Sequence, residues 1–391
     1  MLTPRTTLAR RVTAALDASP SRIPVLVGGC GSGRTTLLRQ MRERLGRQAV
    51  QYVDVERTAT TPERFLRAIT AVSPFPIAGP PAAEPMGARG AFDATLALLA
   101  NARTAAGEPA TYFLDEFLEL RTFESFPGLR RVLHDAIDGL AASGNRFVLT
   151  SRYVARALRL LRDRSARFEV IHMPPLSVED THDVLGPAPA SNDAGRDPAH
   201  DAEYLARTVH ALADGRPVYV RALADELTVM REHGGPGSAD AISALAALLA
   251  VDGVLAKQCA FCYELRLHRA RGYGALKAIL EILGEEEGLT LTEISHRLQR
   301  TPGSTKDYLS WLEDVDLVTS RQKRYTFTDP LVRVWVRLHC RPSAPTEDDL
   351  AREVHRYALP RLPQPEPAPQ TRTEPAFAMA GGPSSGIIEI D

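Results

Sequence analysis

At 391 residues, 44% of them hydrophobic and 24% charged, the chain has the composition of about two or three ordinary globular domains, which excludes a fully disordered, collagenous or fibrous polypeptide. Forty-seven basic and 48 acidic residues leave a formal net charge of −1, so no global field draws the chain to nucleic acid or to an anionic membrane. The longest charge-free apolar stretch, between Asp240 and Asp252, is too short for a bilayer span of roughly twenty residues. Arg5, Arg10 and Arg11 are followed by no apolar leader, and Cys30, Cys259, Cys262 and Cys340 make no disulfide framework, so a reducing cytoplasm is expected. The lysines are Lys257, Lys277, Lys306 and Lys323, which leaves 43 of the 47 basic residues as arginine.

The first 175 residues alternate short apolar runs with helical patterns, the rhythm of a parallel α/β sheet. Strands are expected at Ile23–Val27, Val50–Val55, Thr111–Leu114, Arg146–Thr150 and Phe168–Met173, with helices at Thr35–Leu45, Pro62–Ile69, Phe92–Ala100, Gly128–Leu140 and Tyr153–Arg162. Each strand is nearly continuous in apolar residues, as it should be when helices cover both faces of the sheet. Ser73–Gly90 reads as a long Pro/Gly/Ala-rich loop. After Pro174–Pro175 the strand signals stop. Ser177-x-x-Asp180 has the spacing of a capping box opening a helix over Ser177–Val184. Further helices are expected over Ala202–Ala213, Pro217–Glu232 and about Ser238–His268, with a loop over Gly186–His200. From Gly272 to His339, Leu276, Ile279, Leu280 and Leu283 mark one amphipathic helix. Thr292–Gln299 and Ser304–Val315 make two more, and Leu317–Ser320 with Arg324–Thr328 a hairpin. Three helices followed by a hairpin describe a winged helix. From Leu359 the chain holds seven prolines and should be disordered.

Chemistry concentrates at the strand ends. Gly28-Gly29-Cys30-Gly31-Ser32-Gly33-Arg34-Thr35 matches the phosphate-loop pattern G-x-x-x-x-G-K-[ST], except that Arg34 stands where lysine belongs. Glycines let backbone amides turn inward around phosphates, and the helix opening at Thr35 and Thr36 adds its positive end. Gly28, Gly29, Gly31, Ser32, Gly33, Arg34, Thr35 and Thr36 are therefore the expected nucleotide contacts, with the Thr35 hydroxyl on Mg²⁺. The bland alternative is a glycine-rich turn. Tyr112-Phe113-Leu114 ends in Asp115-Glu116: after a phosphate loop, Asp115 would hold Mg²⁺ and Glu116 would polarise the attacking water. Phe147–Thr150 ends in Ser151-Arg152, where Arg152 could report the γ-phosphate or be one more surface arginine. Arg167, before the fifth strand, could act in trans as an arginine finger or be surface charge.

This order of motifs, with a Pro-Pro-Leu-Ser lid entry and Gly215-Arg216-Pro217, resembles the STAND NTPases related to AAA+ proteins. Within them it is most similar to the archaeal-type ATPases and to the ATPase domains of origin-recognition proteins. The resemblance spans about residues 5–340. It implies an ASCE-type P-loop α/β core, a helical lid whose Pro217 packs near adenine, a C-terminal winged helix, and ATP with Mg²⁺ as cofactors. The implied division is 1–175 core, 176–250 lid, 251–345 connector and winged helix, and 346–391 linker and tail. The glycine-arginine box that often opens these domains is not evident. Arginine is longer and planar where lysine is a point charge, so Arg34 implies nucleotide binding with slow hydrolysis. The expected function is a nucleotide-dependent switch that docks a protein partner or oligomerises. A DNA-handling AAA+ ATPase and a nucleotide-stabilised scaffold without turnover are the alternatives.

DNA could be met through residues 304–306 on the third helix and 321–324 on the wing. Against it, Gly272–His339 carries nine basic and ten acidic residues, including Glu285–Glu287, Asp314 and Asp316. Cys259-x-x-Cys262 has no second pair at zinc-ligand spacing, and three-residue spacing puts both thiols on one helix face. Tyr308, Trp311 and Trp335 fit a core. Ile387-Ile388-Glu389-Ile390 is either a disordered end or a strand-adding peptide.

Overall fold

The computed structural model describes residues 5–76, 87–186, 198–234, 240–268 and 272–363. Helix α1 (Thr6–Asp17) precedes β1 (Ile23–Val27), the glycine loop and α2 (Arg34–Leu45). Then come β2 (Val50–Asp54), α3 (Val55–Thr58), α4 (Pro62–Ala71), α5 (Gly87–Asn101) and β3 (Thr111–Asp115). A 3-10 stretch, Phe117–Ser125, leads to α6 (Val132–Ala142), β4 (Arg146–Ser151), α7 (Val154–Leu161) and β5 (Phe168–His172). The five strands form one parallel sheet in the order β2-β3-β4-β1-β5. Each lies within one residue of its expected bounds. Alternate residues serve opposite faces. Leu26, Phe113, Val148 and Ile171 pack with Leu8, Val12 and Leu16 of α1 and Leu37, Leu38 and Met41 of α2. Val25, Tyr112, Leu114, Phe147 and Leu149 pack on the other face with Phe65, Phe92 and Ile137. Double burial is why the strands read as unbroken apolar runs.

The helical half begins with α8 (Val178–Leu185), whose Ser177/Asp180 capping box is formed in both directions. It continues with α9 (Pro198–Ala213), α10 (Pro217–Gly234), α11 (Ala241–Leu249) and α12 (Val254–Leu267). The helical region expected over about Ser238–His268 consists of α11 and α12. They meet at 53°, and Gly253 sits so close that a Cβ there would lie 2.2 Å from the Leu248 carbonyl oxygen. No single described helix is long and apolar enough to cross a membrane; α11 and α12 would be so only as a bent pair. Next come α13 (Tyr273–Glu285), β6 (Leu289–Thr290), α14 (Leu291–Leu298), α15 (Pro302–Asp314), β7 (Val318–Arg321) and β8 (Arg324–Phe327), with an antiparallel sheet ordered β6-β8-β7. Leu276, Ile279, Leu280 and Leu283 are all fully buried, as their spacing predicts. Trp335 is buried, and Tyr308 and Trp311 are half-buried against the same core. Cys259 and Cys262 are both buried on α12, and no metal-binding cluster of three His, Cys, Asp or Glu occurs among the described residues.

Four expectations need correction. Residues 87–90 belong to α5 rather than to a loop. Residues 198–200 open α9. The expected helix over Gly128–Leu140 starts only at Val132, because Gly128 turns with a φ of +78°. Finally, the linker expected from 346 contains a helix. After α16 (Pro330–His339), α17 (Glu347–Ala358) buries Leu350, Val354 and Tyr357, a helical stripe hidden in the sequence by Glu347-Asp348-Asp349. Its Glu353 accepts from Arg337 Nε and Nη2 at 2.7 and 2.9 Å, and the Tyr357 hydroxyl donates to the Leu212 carbonyl at 2.8 Å. Thr346 and Asp349 cap it reciprocally, so Thr346→Ala should cost about 1 kcal/mol, read as a lower urea midpoint. Residues 364–391, with the 387–390 motif, lie outside the described residues.

Candidate functional site

Because the strands are parallel, the chain leaves β1, β3 and β4 along one edge of the sheet, where Val27, Asp115 and Ser151 end neighbouring strands. Ligand crevices in open α/β sheets lie outside this carboxyl edge. The loop after β1 turns through left-handed glycines, with φ of +73° at Gly31 and +87° at Gly33. No side chain caps α2, and Leu37 N is its first amide with a backbone acceptor, Gly33 O at 3.0 Å. The preceding amides at Arg34, Thr35 and Thr36 present the positive end of the helix to the crevice. Beside them lies a cavity of about 440 Å³, lined by Gly31, Ser32, Gly33, Thr35, Thr36 and Pro217 among others. The loop also carries the lid. A Cβ on Gly31 would stand 2.1 Å from Val218 Cγ1 of α10, so glycine is required by contact as well as by φ.

The two acids have separate environments. Asp115 accepts hydrogen bonds from the Thr35 hydroxyl at 2.7 Å, the Tyr52 hydroxyl at 2.7 Å and the Thr150 hydroxyl at 2.5 Å. A serine/threonine hydroxyl against one carboxylate, at a helix N-terminus, is a hard-oxygen donor set that suits Mg²⁺ shared with phosphates. Glu116 is buried, in the left-handed region with a φ of +57°. Its Oε1 accepts from Arg34 Nη2 at 2.6 Å, and its Oε2 accepts from the Arg152 amide at 2.9 Å with Arg152 Nε at 3.2 Å. Burial would push the Glu116 carboxyl up; Arg34, Arg152 and these hydrogen bonds outweigh it and hold it below the usual range.

Arg34 also donates through Nη1 to the Gly29 carbonyl at 2.7 Å and to Ser32 Oγ at 3.0 Å, so its side chain bridges the glycine loop to β3. Arg152 further pairs with Glu56 of α3. Cys30 is half-buried in the loop. Its thiol is pulled down by the Cys262 thiol, against burial, with help from Arg266, Arg152 and Arg34. The Gly215-Arg216-Pro217 turn ties the lid to the C-terminal half, since Arg216 Nη1 meets Asp329 at 3.0 Å and its Nη2 donates to the Thr328 carbonyl at 2.9 Å.

Of the expected site residues, the structure brings together the glycine loop, Arg34, Thr35, Thr36, Asp115, Glu116, Arg152 and Pro217. Arg167 is elsewhere. It precedes β5 at the far end of the sheet and donates to the carbonyls of Ser21 (2.9 Å), Ala141 (2.7 Å) and Ser143 (2.6 Å), which makes it a staple between β5 and the turn before β4. Tyr52, Glu56, Thr150 and Arg266 were not singled out from sequence. The first two become legible only once β2 is known to lie beside β3, and Thr150 once its hydroxyl is seen between Asp115 and the Glu116 amide (2.9 Å).

No protein-family model and no curated protein matches the chain. Solved structures do. The Walker-type ATPase PABY2304 of Pyrococcus abyssi superposes with a TM-score of 0.58 at 17% identity, over 86% of this chain and 96% of that one. The Aeropyrum pernix Orc1 protein, solved in complex with DNA, gives 0.46 at 15% identity over 90% and 93%. The Thermotoga maritima RuvB Holliday junction branch migration motor gives 0.41 at 15% over 83% and 91%. At 17% identity the likeness to the Walker-type ATPase is one of fold.

Proposed function

We propose that the chain binds ATP with Mg²⁺ at the glycine loop and acts as a nucleotide-dependent switch with slow hydrolysis. The open amides of α2 would take the phosphates, Thr35 and Asp115 the cation, and Pro217 the base side of the cavity. The bound cation would neutralise phosphate charge; the chain's own groups set the rate. One observation carries the slow turnover: both oxygens of Glu116 are engaged, one by Arg34 at 2.6 Å and the other by Arg152. A carboxylate held between two guanidiniums is a weak proton acceptor, so it polarises water poorly. The lid touches the loop through Val218 and the C-terminal half through Arg216–Asp329. A nucleotide that shifts the lid would therefore shift both, exposing or hiding a surface for a protein partner or a second copy. We keep 1–175 as core, 176–250 as lid and 251–345 as connector and winged helix. The test is a single turnover of labelled ATP with excess protein and Mg²⁺. Binding with slow cleavage that falls in Glu116→Gln supports the switch. Binding without cleavage would make the chain a nucleotide-stabilised scaffold, and no binding would overturn the reading.

A second reading, DNA contact by the winged helix, gains from the ion pairs. Glu285, Glu286 and Glu287 are matched by Arg337 and Arg341, by Arg297 and by Arg333. Asp314 pairs with Arg159 of α7, and Asp316 accepts from the Ala155 amide, so both face the core. Five of the ten acids in that count are thereby engaged, at the expense of Arg297, Arg333 and Arg337 from the same count, while Arg300, Lys306, Arg321 and Lys323 stay exposed. Duplex binding that weakens with salt and is lost in Lys306→Glu/Lys323→Glu is the expected result under this reading. An absence of binding at low salt removes it.

A further inference from the structure

One pair of nucleophiles takes no part in holding nucleotide. Cys30 stands in the glycine loop between Gly29 and Gly31, and its thiol is free and half-buried. The element facing it is α12. Arg266 of that helix brings Nη2 to 3.9 Å from a Cβ built on Gly29. Cys262 lies one turn earlier on the same helix face, buried and also free. Each of these two thiols has the other as its foremost side-chain partner. Residues far apart in the sequence thus bring two sulfurs together exactly where the glycine loop meets the C-terminal half.

The two sulfurs differ in character. Arg266, Arg152 and Arg34 surround Cys30 with positive charge and favour its thiolate, whereas Cys30 and burial push the Cys262 thiol up. Thiolates are the nucleophiles of sulfur chemistry, and a half-buried thiolate beside a protonated thiol is the arrangement of an attacking and a resolving cysteine. The remaining thiols lack it. Cys259 is fully buried with the Tyr219 hydroxyl 4.0 Å from its sulfur, and burial pushes both it and Cys340 up. We infer that Cys30 and Cys262 form a peroxide-reactive dithiol whose oxidation ties the glycine loop to α12. The Cys30 thiolate attacks one oxygen of hydrogen peroxide, the O–O bond breaks, and the sulfur becomes a sulfenic acid as hydroxide leaves. The Cys262 sulfur then attacks the sulfenic sulfur. The S–O bond breaks, the S–S bond forms, and the Cys262 proton leaves with the departing oxygen as water. The first hydroxide takes up the proton that Cys30 had shed, so two thiols lose two electrons and the peroxide ends as two waters. The neighbouring Gly31 already touches the lid, since a Cβ there would stand 2.1 Å from Val218. A loop held on both sides cannot fold its amides freely around phosphates, so the oxidised chain should bind ATP about tenfold more weakly. That consequence rests on the nucleotide reading above; the cross-link does not.

Full-length protein treated with hydrogen peroxide, then alkylated under denaturing conditions and weighed by mass spectrometry, tests the assignment. The expected product has lost two hydrogens, carries alkyl groups on Cys259 and Cys340, and yields a linked peptide pair joining Cys30 to Cys262. Dithiothreitol should restore four alkylated thiols. Cys30→Ser and Cys262→Ser should each abolish the linked pair, and Cys262→Ser should leave Cys30 open to capture by dimedone as the sulfenic acid. A Cys259–Cys262 link, four thiols still free after peroxide, or Cys30 oxidised to the sulfinic acid without a link overturns the assignment. The peptide map of the wild-type chain decides this even if a serine variant does not fold. ATP binding with Mg²⁺ is then compared before and after oxidation. A loss of about tenfold that dithiothreitol reverses, and that Cys262→Ser does not show, supports the regulatory consequence; equal affinity overturns it. Reduced wild-type protein that binds no nucleotide overturns the nucleotide reading, while the peptide map still decides the cross-link.

Discussion

Arg34→Lys is expected to raise the single-turnover rate of ATP cleavage by about tenfold to a hundredfold, the lower end of what a general base supplies, because Arg152 still holds Glu116. The arginine now makes three contacts at once: the Gly29 carbonyl, Ser32 Oγ and, across the loop, Glu116 Oε1. Lysine is shorter and carries its charge at one point, so it cannot span from the loop to β3 while also lying along the phosphates. Releasing Oε1 leaves Glu116 with Arg152 alone and raises its proton affinity from a value now held down by two guanidiniums. The gain must run through that carboxylate. Arg34→Lys combined with Glu116→Gln should fall back to the wild-type rate or below. A lysine variant no faster than wild type would show that the Arg152 contacts, or the left-handed backbone at Glu116, set the rate instead.

The same residues show what the sequence could carry. The glycine loop, Asp115-Glu116 and Arg152 were legible because each sits at a strand end, where residue type and spacing imply chemistry before any fold is known. The Arg34–Glu116 pair was half legible: the oddity of Arg34 is visible in the motif, but its partner appears only when β3 is brought beside the loop. Arg167 was open in the sequence, because an arginine before a strand looks the same whether it meets a neighbour's phosphate or four nearby backbone carbonyls, as it does within this chain, the fourth being Asn145 at 3.5 Å. Arg266 left no local signal at all. It is one arginine among 43, and only the fold shows it buried beside the glycine loop. In α17 the charges of the first turn masked an apolar stripe that tertiary packing buries.

The seam between core and C-terminal half should tighten on acidification. Asp316 follows α15 with a φ of +55° and is 8% exposed; its Oδ1 accepts from the Ala155 amide at 3.2 Å while Oδ2 has no partner among the described residues. Burial pushes its carboxyl up to about 6, and Asp314 adds to this, while the Ala155 and Val154 amides and Arg266 oppose it. An unfolded aspartate titrates near 4, so between these values the folded chain holds a proton that the unfolded chain has lost. Folding is then most favoured, as far as this group decides, below about pH 4 and loses on the order of 3 kcal/mol as pH rises through 6. Asp316→Asn keeps the Oδ1 acceptor, tolerates the left-handed backbone and removes the charge. Its melting temperature at pH 7.5 should exceed that of wild type, and the difference should shrink by about half by pH 5 and toward zero near pH 4. A difference that stays constant across this range would mean that Asp316 remains charged in the folded chain.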